Sequence, residues 1–434
     1  MQPNGRGTAV DVVVVGGGQA GLTTSYYLQA FGIEHVLLER DRIGESWRSA
    51  RWDSFTLVTP DWMTRLPTHS ITRGGGADFI SRDAIVAILE ELANGLPVRT
   101  GVEVLAVVAR ANHFRLRLAD EEIAARVVVV AGGGQRRPII PDYARRLDPS
   151  VVQLDASRYR SPRAVPDGAV LVVGSGQSGA QIAEELAMAG REVLLATSKV
   201  ARVPRRYRGR DAHEWSVELG LYDVQASQVT DKRQLTEAHP MLSGSRGGHT
   251  IALQQLARDN VRLLGRLTDV DGSTLRFKPD LADNMHYGDE RATEFRDRVD
   301  RHILQSGTVA PARDIDLAER PWPGADRAAL TLDVRAERIG SVIWTTGFGP
   351  DLEWLHLPVR GADGSLAHTC GITALPGLYV VGYPWLSTRG SGILYGVDAD
   401  ACRIAQHIAA ALRHASPSTD RRVRNIQYAE VGER

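Results

Sequence analysis

The residues best suited to chemistry are two glycine-rich turns. Gly16, Gly18 and Gly21 form G-x-G-x-x-G directly after the β-branched run Val12-Val13-Val14-Val15. In that setting Gly16 makes a tight turn, Gly18 lets the backbone approach a pyrophosphate, and Gly21 lets the next helix pack on the strand. The helix N-terminus, at Gln19 and Ala20, faces the phosphate charge. Leu22 to Phe31 reads as that helix, with Gly32 placed to end it. A second strand, Val36-Leu37-Leu38, ends in Glu39, 18 residues past Gly21. A carboxylate there accepts hydrogen bonds from an adenosine ribose.

The pattern recurs. Ala169 to Val173 leads into Gly174, Gly176, Gln177, Ser178 and Gly179, then a helix from Ala180 to Ala189 and a strand, Val193 to Ala196. This second strand ends in Thr197, Ser198 and Lys199, with no acid, and Arg202, Arg205, Arg206, Arg208 and Arg210 follow. An acid would select NAD through the 2′-hydroxyl, whereas hydroxyls with nearby arginines fit a 2′-phosphate. The competing reading of these arginines is a solvated basic loop. The first unit therefore suits FAD and the second NADPH, and a chain holding both can pass hydride from nicotinamide to flavin.

The elements that must position these turns define an α/β fold: two dinucleotide-binding Rossmann-like domains, the second inserted in the first. Residues 1–162 form the first part of the FAD domain, 163–349 the NADPH domain with helical insertions at about 207–310, and 350–434 the return segment and C-terminal helix. Further cofactor contacts are expected from Arg40, from Ser46 and Trp47 in the loop after Gly44, and from Thr59 in an aromatic-rich stretch with Trp52, Phe55 and Trp62. Val104 is expected to add another, within strand 102–108. A strand over 127–130 ends in Ala131 and Gly132, and a strand over 339–344 ends in Thr346 and Gly347. Gly382 follows the last strand, 377–382, and Gly392 closes a polar loop before a helix through Val397, Ala401, Ile404, Ala405 and Ile408. That helix N-terminus suits the anionic end of a reduced flavin. Phe114 to Leu118 alternates like a half-solvated strand, and Ser81 or Asp83 suits the cap of a helix through Ile85 and Leu92. Thr72 to Phe79 reads as a glycine-rich loop. The cluster from Met241 to His249 reads as a loop near a ligand, and Phe295, Val299 and Ile303 as the core stripe of a charged helix.

Composition narrows the classes. The chain has 434 residues, 43% of them hydrophobic, and a formal net charge of zero, so it lacks the basic footprint of a nucleic-acid binder. No stretch approaches the ~20 apolar residues of a membrane span, and Met1 to Thr8 lacks the apolar segment of a signal peptide. Cys370 and Cys402, far apart, fit a reducing cytoplasm and argue against dithiol-disulfide reductases. His213, His239, His249, His286 and His302 show no metal-ligand spacing, so no metal is expected. Residues from Ser416 onward read as a mobile polar tail. Exposed apolar segments in the second unit leave room for a homodimer.

Over nearly its whole length the chain resembles the class B flavin-containing monooxygenases, above all their bacterial relatives and the plant indole-3-pyruvate monooxygenases. The resemblance rests on Gly16-x-Gly18-x-x-Gly21 with Glu39, Gly44-Glu45-Ser46-Trp47, and Gly174-x-Gly176-x-Ser178-Gly179-x-Gln181-Ile182-Ala183. Thr345-Thr346-Gly347-Phe348 with Asp351, Gly377-Leu378-Tyr379 and Ser391-Gly392 complete it. It implies that NADPH reduces FAD, and that a flavin C4a-(hydro)peroxide passes one oxygen atom of O2 to a small organic molecule at nitrogen, sulfur or a carbonyl carbon. The flavin then carries the chemistry and no catalytic side chain is singled out. One stretch departs from the family fingerprint of phenylalanine, glycine and then histidine before an aromatic: in Pro149 to Tyr159 the phenylalanine and glycine are missing, Asp155 stands where the histidine is expected, and Tyr159 fits the terminal aromatic. Two other readings stay open, an NADPH-flavin oxidase or reductase without oxygenation and a non-catalytic nucleotide-binding regulator. Residues 52–62 and 207–250 are the candidate substrate lining.

Overall fold

The computed structural model describes residues 8–69, 78–237, 239–361 and 364–414. The expectations for the residues before Thr8, for Thr72 to Ala77 and for the tail from Ser416 lie outside them.

The first sheet grows from the valine run. β1 (Thr8–Val15) is followed by α1 (Gln19–Ala30), β2 (His35–Glu39), α2 (Glu45–Ser49), α3 (Arg82–Ala93), β3 (Val98–Thr100), β4 (Ala106–Ala109), β5 (Phe114–Arg117) and β6 (Glu122–Val130). β1 lies between β2 and β6, parallel to both, with Val15 opposite Leu38 and Val130. A strand covered on both faces must be apolar throughout. Val12 and Val14 accordingly pack toward the helices and Val13 toward the opposite layer. Helix α1 starts three residues before the expected Leu22, at the turn itself. Ser81 does cap α3, its Oγ accepting from the Ala84 N–H at 3.2 Å. The strand expected over 102–108 forms only from Ala106, because Val102 donates to the Glu39 carbonyl instead.

The chain then builds a second sheet. β7 (Arg137–Pro138) leads to β8 (Val152–Asp155), β9 (Ala169–Val173), α4 (Gln177–Met188) and β10 (Val193–Ala196). A small hairpin, β11 (Arg206–Tyr207) and β12 (Arg210–Asp211), precedes α5 (Ala212–Glu218), α6 (Leu253–Arg258) and β13 (Val261–Leu264). β14 (Leu267–Asp271), β15 (Thr274–Phe277), the long α7 (Leu281–Ser306), β16 (Thr331–Asp333), β17 (Ile339–Trp344) and β18 (Phe348–Gly349) complete it. The sheet order is β13-β10-β9-β17-β8, with all neighbours parallel. Helices α4 and α6 cover one face, and the three-stranded β14-β15-β16 sheet covers the other. β8 falls before the expected break at 162–163, yet it pairs with β17, so this sheet begins earlier in the chain.

The chain returns through β19 (His368–Thr369), β20 (Ile372–Thr373) and β21 (Leu378–Val380), which extend the first sheet beyond β6, and the last described element is α8 (Val397–His414). The outgoing and returning crossings run side by side as the antiparallel β7-β18 pair. Helix α8 docks on α1, and Val397, Ala401, Ile404, Ala405 and Ile408 are fully buried. Each large aliphatic side chain so buried stabilises by about 1.5–3 kcal/mol, enough to hold α8 to the first unit across the whole insertion. Among the described residues no helix is long and apolar enough to cross a membrane.

Candidate cofactor-binding site

Both glycine turns sit at the carboxyl ends of central parallel strands, where open α/β sheets bind ligands. Gly16 has φ +116° and lies against the Ala131 carbonyl, which a Cβ would meet at 2.6 Å. A Cβ on Gly21 would stand 1.9 Å from the Gly16 oxygen, so α1 rests directly on the turn. Around Gly18 and Gly132, by contrast, nothing lies within 4 Å of an added Cβ. No side chain caps α1 at Gly18, which leaves its first N–H groups for an anion. This open backbone cradle fits a pyrophosphate.

Glu39 is fixed beside it. Its Oε2 accepts from the Gly17 N–H at 2.5 Å and its Oε1 from the Asp41 N–H at 2.8 Å. Gly17, which the motif leaves unspecified, must be glycine because a Cβ would stand 2.8 Å from the Glu39 Cβ; the unbroken run Gly16-Gly17-Gly18 was the available signal. Gly44, at φ +66°, closes the next loop by donating to the Gly17 carbonyl at 3.1 Å. Ser46 and Trp47 follow half-buried. Trp47 tilts against Phe55 at 6.0 Å, with the Arg51 guanidinium over its ring at 5.3 Å. Thr59 is half-buried.

The other expected positions also contact protein. Trp52 and Trp62 are buried; Trp52 meets Phe55 edge-on at 5.0 Å and touches Tyr159. Val104, Ala20 and Ala131 are buried, so they offer only backbone. Arg40 pairs with Asp41 at 3.1 Å and Glu103 at 3.6 Å. Gly382 has φ +85°, and a Cβ there would strike Ala20 at 2.5 Å. Gly392 has φ +82° and packs on the Pro384 nitrogen.

The second turn repeats the first. Gly174 has φ +105°, a Gly179 Cβ would stand 1.9 Å from the Gly174 oxygen, and Gly176 faces open space. Thr345, absent from the expected contacts, locks the turn by donating to the Val173 and Gly174 carbonyls, each at 2.8 Å. The Gln177 side chain is committed to the Leu242 backbone, accepting from its N–H at 3.2 Å, while Ser178 stays half-buried. Ser198 donates its N–H to Ser175 Oγ at 3.0 Å, and Lys199 is exposed. Thr346 Oγ1 donates to the Ile139 carbonyl at 2.5 Å, bracing the crossings, and Gly347 is open.

The arginines expected at the 2′-phosphate all have protein partners. Arg202 is buried and held by Asp289 and Glu319, each at 2.5 Å. Arg205 is buried, with Nε on Asp211 Oδ2 at 2.7 Å, Nη1 on the Val58 carbonyl at 2.7 Å and its guanidinium 4.3 Å from the Phe79 ring centre. Arg206 donates to the Gly247 and Gly248 carbonyls, both at 2.9 Å. Arg208 pairs with Asp300 at 2.9 Å, and Arg210 with Glu218 at 2.6 Å. Most of these partners come from the insertion, tens of residues away, so local spacing could not reveal them.

The Met241–His249 cluster contacts protein. A Gly244 Cβ would strike the Leu57 carbonyl at 1.7 Å, and one on Gly248 the Phe79 ring at 2.5 Å. Its glycines therefore bring the second unit onto the 52–62 stretch. Nearby, the Arg389 and Gly390 N–H groups donate to the Val224 and Tyr222 carbonyls at 2.9 Å each, and Tyr222 lies 5.3 Å from Tyr395. The 207–250 stretch thus meets both the 52–62 stretch and the loop that precedes α8. His213 is buried beneath them, its Nδ1 2.5 Å from the Tyr222 hydroxyl, and burial with the Arg205 charge pushes its imidazole down to about 3. Asp155 is buried as well, its Oδ1 accepting from the Ser157 N–H at 2.8 Å, so this carboxylate closes a turn.

Comparison with known proteins agrees with this architecture. The family model described as pyridine nucleotide-disulphide oxidoreductase matches residues 13–208, although both cysteines here are free thiols. An uncharacterized CzcO-like oxidoreductase of Geobacillus kaustophilus is 30% identical over 397 residues, covering 90% of this chain and 96% of that protein. Indole-3-pyruvate monooxygenase YUCCA1 of Oryza sativa subsp. japonica is 26% identical over 414 residues, covering 91% and 90%. Among solved structures, a flavin-containing monooxygenase from Stenotrophomonas maltophilia has the same fold, with TM-score 0.63 at 21% identity, over 93% of this chain and 99% of that one. With its nested sheets and paired glycine turns, this chain belongs to the CzcO-like oxidoreductases.

Proposed function

We propose that the chain is a cytoplasmic FAD- and NADPH-dependent monooxygenase that transfers one oxygen atom of O2 to a small organic substrate. The observation that carries this reading is the pair of equivalent cradles. In both, the third glycine would stand 1.9 Å from the turn carbonyl if given a Cβ, and the middle glycine faces open space. Only the first has a strand-end carboxylate, Glu39. In this reading FAD lies on Gly16 to Gly21, Glu39, Gly132, Gly382 and Gly392, and NADPH on Gly174 to Gly179, Ser198 and Gly347. When bound, FAD supplies hydride acceptance and oxygen activation. The chain itself binds and orients: the α1 N-terminus faces phosphate charge, and the 222–226 segment laced to 387–390 limits water access. The substrate space lies between Val58, Tyr222 and Tyr395.

Asp155 at the histidine position favours a second reading, NADPH oxidation that ends in hydrogen peroxide. The two separate by stoichiometry. Purified protein is supplied with NADPH, and O2 uptake, peroxide and product are measured with amine, sulfide and ketone substrates. Oxygenated product matching NADPH consumed supports the monooxygenase. Stoichiometric peroxide with every substrate supports the oxidase, and protein that neither carries nor binds flavin refutes both.

A further inference from the structure

With the arginines after Arg202 committed elsewhere, the strand-end region offers a different basic group. β10 and β13 are parallel neighbours with Ala196 opposite Leu264. They leave the sheet together, since Thr197 gives both its N–H (3.0 Å) and its hydroxyl (2.7 Å) to the Leu264 carbonyl. Ser198 and Lys199 therefore emerge beside Gly265 and Arg266. Arg266 lies in turn across the ladder from Lys278, which donates its N–H to the Arg266 carbonyl at 2.9 Å. The next pair along, Leu267 opposite Phe277, is buried. Alternation then places Arg266 and Lys278 together on the other side of the ribbon.

Lys199, Arg266 and Lys278 are all exposed. Two like charges directly opposite on a ladder destabilise it, and among the described residues no carboxylate forms an ion pair with any of the three side chains. Asp269 pairs with Arg146, and Glu337 with Arg262 at 2.6 Å. Asp280 accepts from the Arg266 N–H at 2.8 Å and from Asn284 at 3.3 Å. Asn284 also donates to Thr197 Oγ1 at 3.1 Å, which braces the loop. The group thus carries excess positive charge on a fixed frame, at the strand end about 20 residues past Gly179, where a dinucleotide presents its adenosine ribose.

We propose that Arg266, Lys199 and Lys278 hold the 2′-phosphate of NADPH, and that Arg205 and Arg206 do not. This rests on the reading of the second unit as the NADPH site. The test is calorimetric titration of the FAD-loaded protein with two probes that differ only in that phosphate, adenosine 2′,5′-bisphosphate and 5′-AMP. The wild type is expected to prefer the bisphosphate. Arg266→Ala and Lys278→Ala should each weaken the bisphosphate by ~10-fold or more while leaving 5′-AMP unchanged, and Arg266→Lys should recover part of the loss. These side chains are exposed, so thermal melting should match the wild type. Equal weakening of both probes, an unchanged preference in a Lys199→Ala/Arg266→Ala/Lys278→Ala variant, or loss of preference in Arg206→Ala would overturn the assignment. A wild type that binds neither probe would refute the nucleotide reading itself.

Discussion

Replacing Arg205 with alanine tests whether this arginine serves structure or cofactor. Its side chain is 2% exposed and faces Asp211, 3% exposed, at 2.7 Å. Burial pushes the Asp211 carboxyl up and the Arg205 guanidinium down, and each is partly restored by the other's charge. Removing the cation leaves a buried carboxylate without its partner, which costs about 3–5 kcal/mol. For a unit of this size that is a loss of roughly 6–20 °C in melting temperature. Trp215 is a suitable fluorescent reporter, being buried with its indole N–H on the Tyr207 carbonyl at 2.7 Å. The loss should depend on pH. Without Arg205 the folded-state pKa of Asp211 rises further above its unfolded value, so the folded variant binds the proton more tightly. Its deficit is therefore largest near neutral pH and shrinks as pH falls through that raised value. Asp211→Asn added to Arg205→Met removes both charges yet keeps an acceptor for the His213 N–H, which Asp211 now serves at 2.9 Å. That double variant should lose clearly less than Arg205→Ala. A cost below about 1 kcal/mol, typical of exposed ion pairs, or a deficit that grows in acid, would refute the argument.

Three further outcomes are expected. Gly18→Ala should fold and melt like the wild type but lose flavin during purification, whereas Gly21→Ala should fail to fold, because only the second Cβ meets protein, at 1.9 Å; equal behaviour of the two would contradict the cradle. Glu39→Gln should weaken FAD by roughly 10-fold, since a carboxylate replaced by an amide loses charge-assisted bonds worth about 1.5–3 kcal/mol, as followed by flavin fluorescence on dilution. His213, whose folded pKa lies near 3, against 6.5 when unperturbed, makes the protein lose stability as pH falls from about 6.5, because only the unfolded chain takes up the proton there. His213→Gln should flatten the denaturation midpoint between about pH 6 and pH 4, and an unchanged slope would count against the burial argument.

The two glycine turns were legible because their constraints are local. A G-x-G-x-x-G needs only the preceding strand and the following helix to define it, and the spacing to Glu39 is set by one helix and one strand. The buried central strands were equally clear, since a strand covered on both faces must be apolar along its length. The nested order of the two units also followed from the chain, as the second pattern interrupts the first. The fate of each charge did not. Arg202 and Arg205 read like phosphate ligands until Asp289, Glu319, Asp211 and the Val58 carbonyl were seen around them. The glycines of the 241–249 loop read like a ligand loop until Leu57 and Phe79 were found against them. Arg266 and Lys278 gave no signal, since their adjacency to Ser198 arises from the pairing of β13 with β10 and of β14 with β15. Sequence by itself determined the backbone turns, the strands and the family. Tertiary structure decided which side chains are neutralised and which remain free for a ligand, because a charge is satisfied by whatever the fold brings within about 3–4 Å, however distant in the chain.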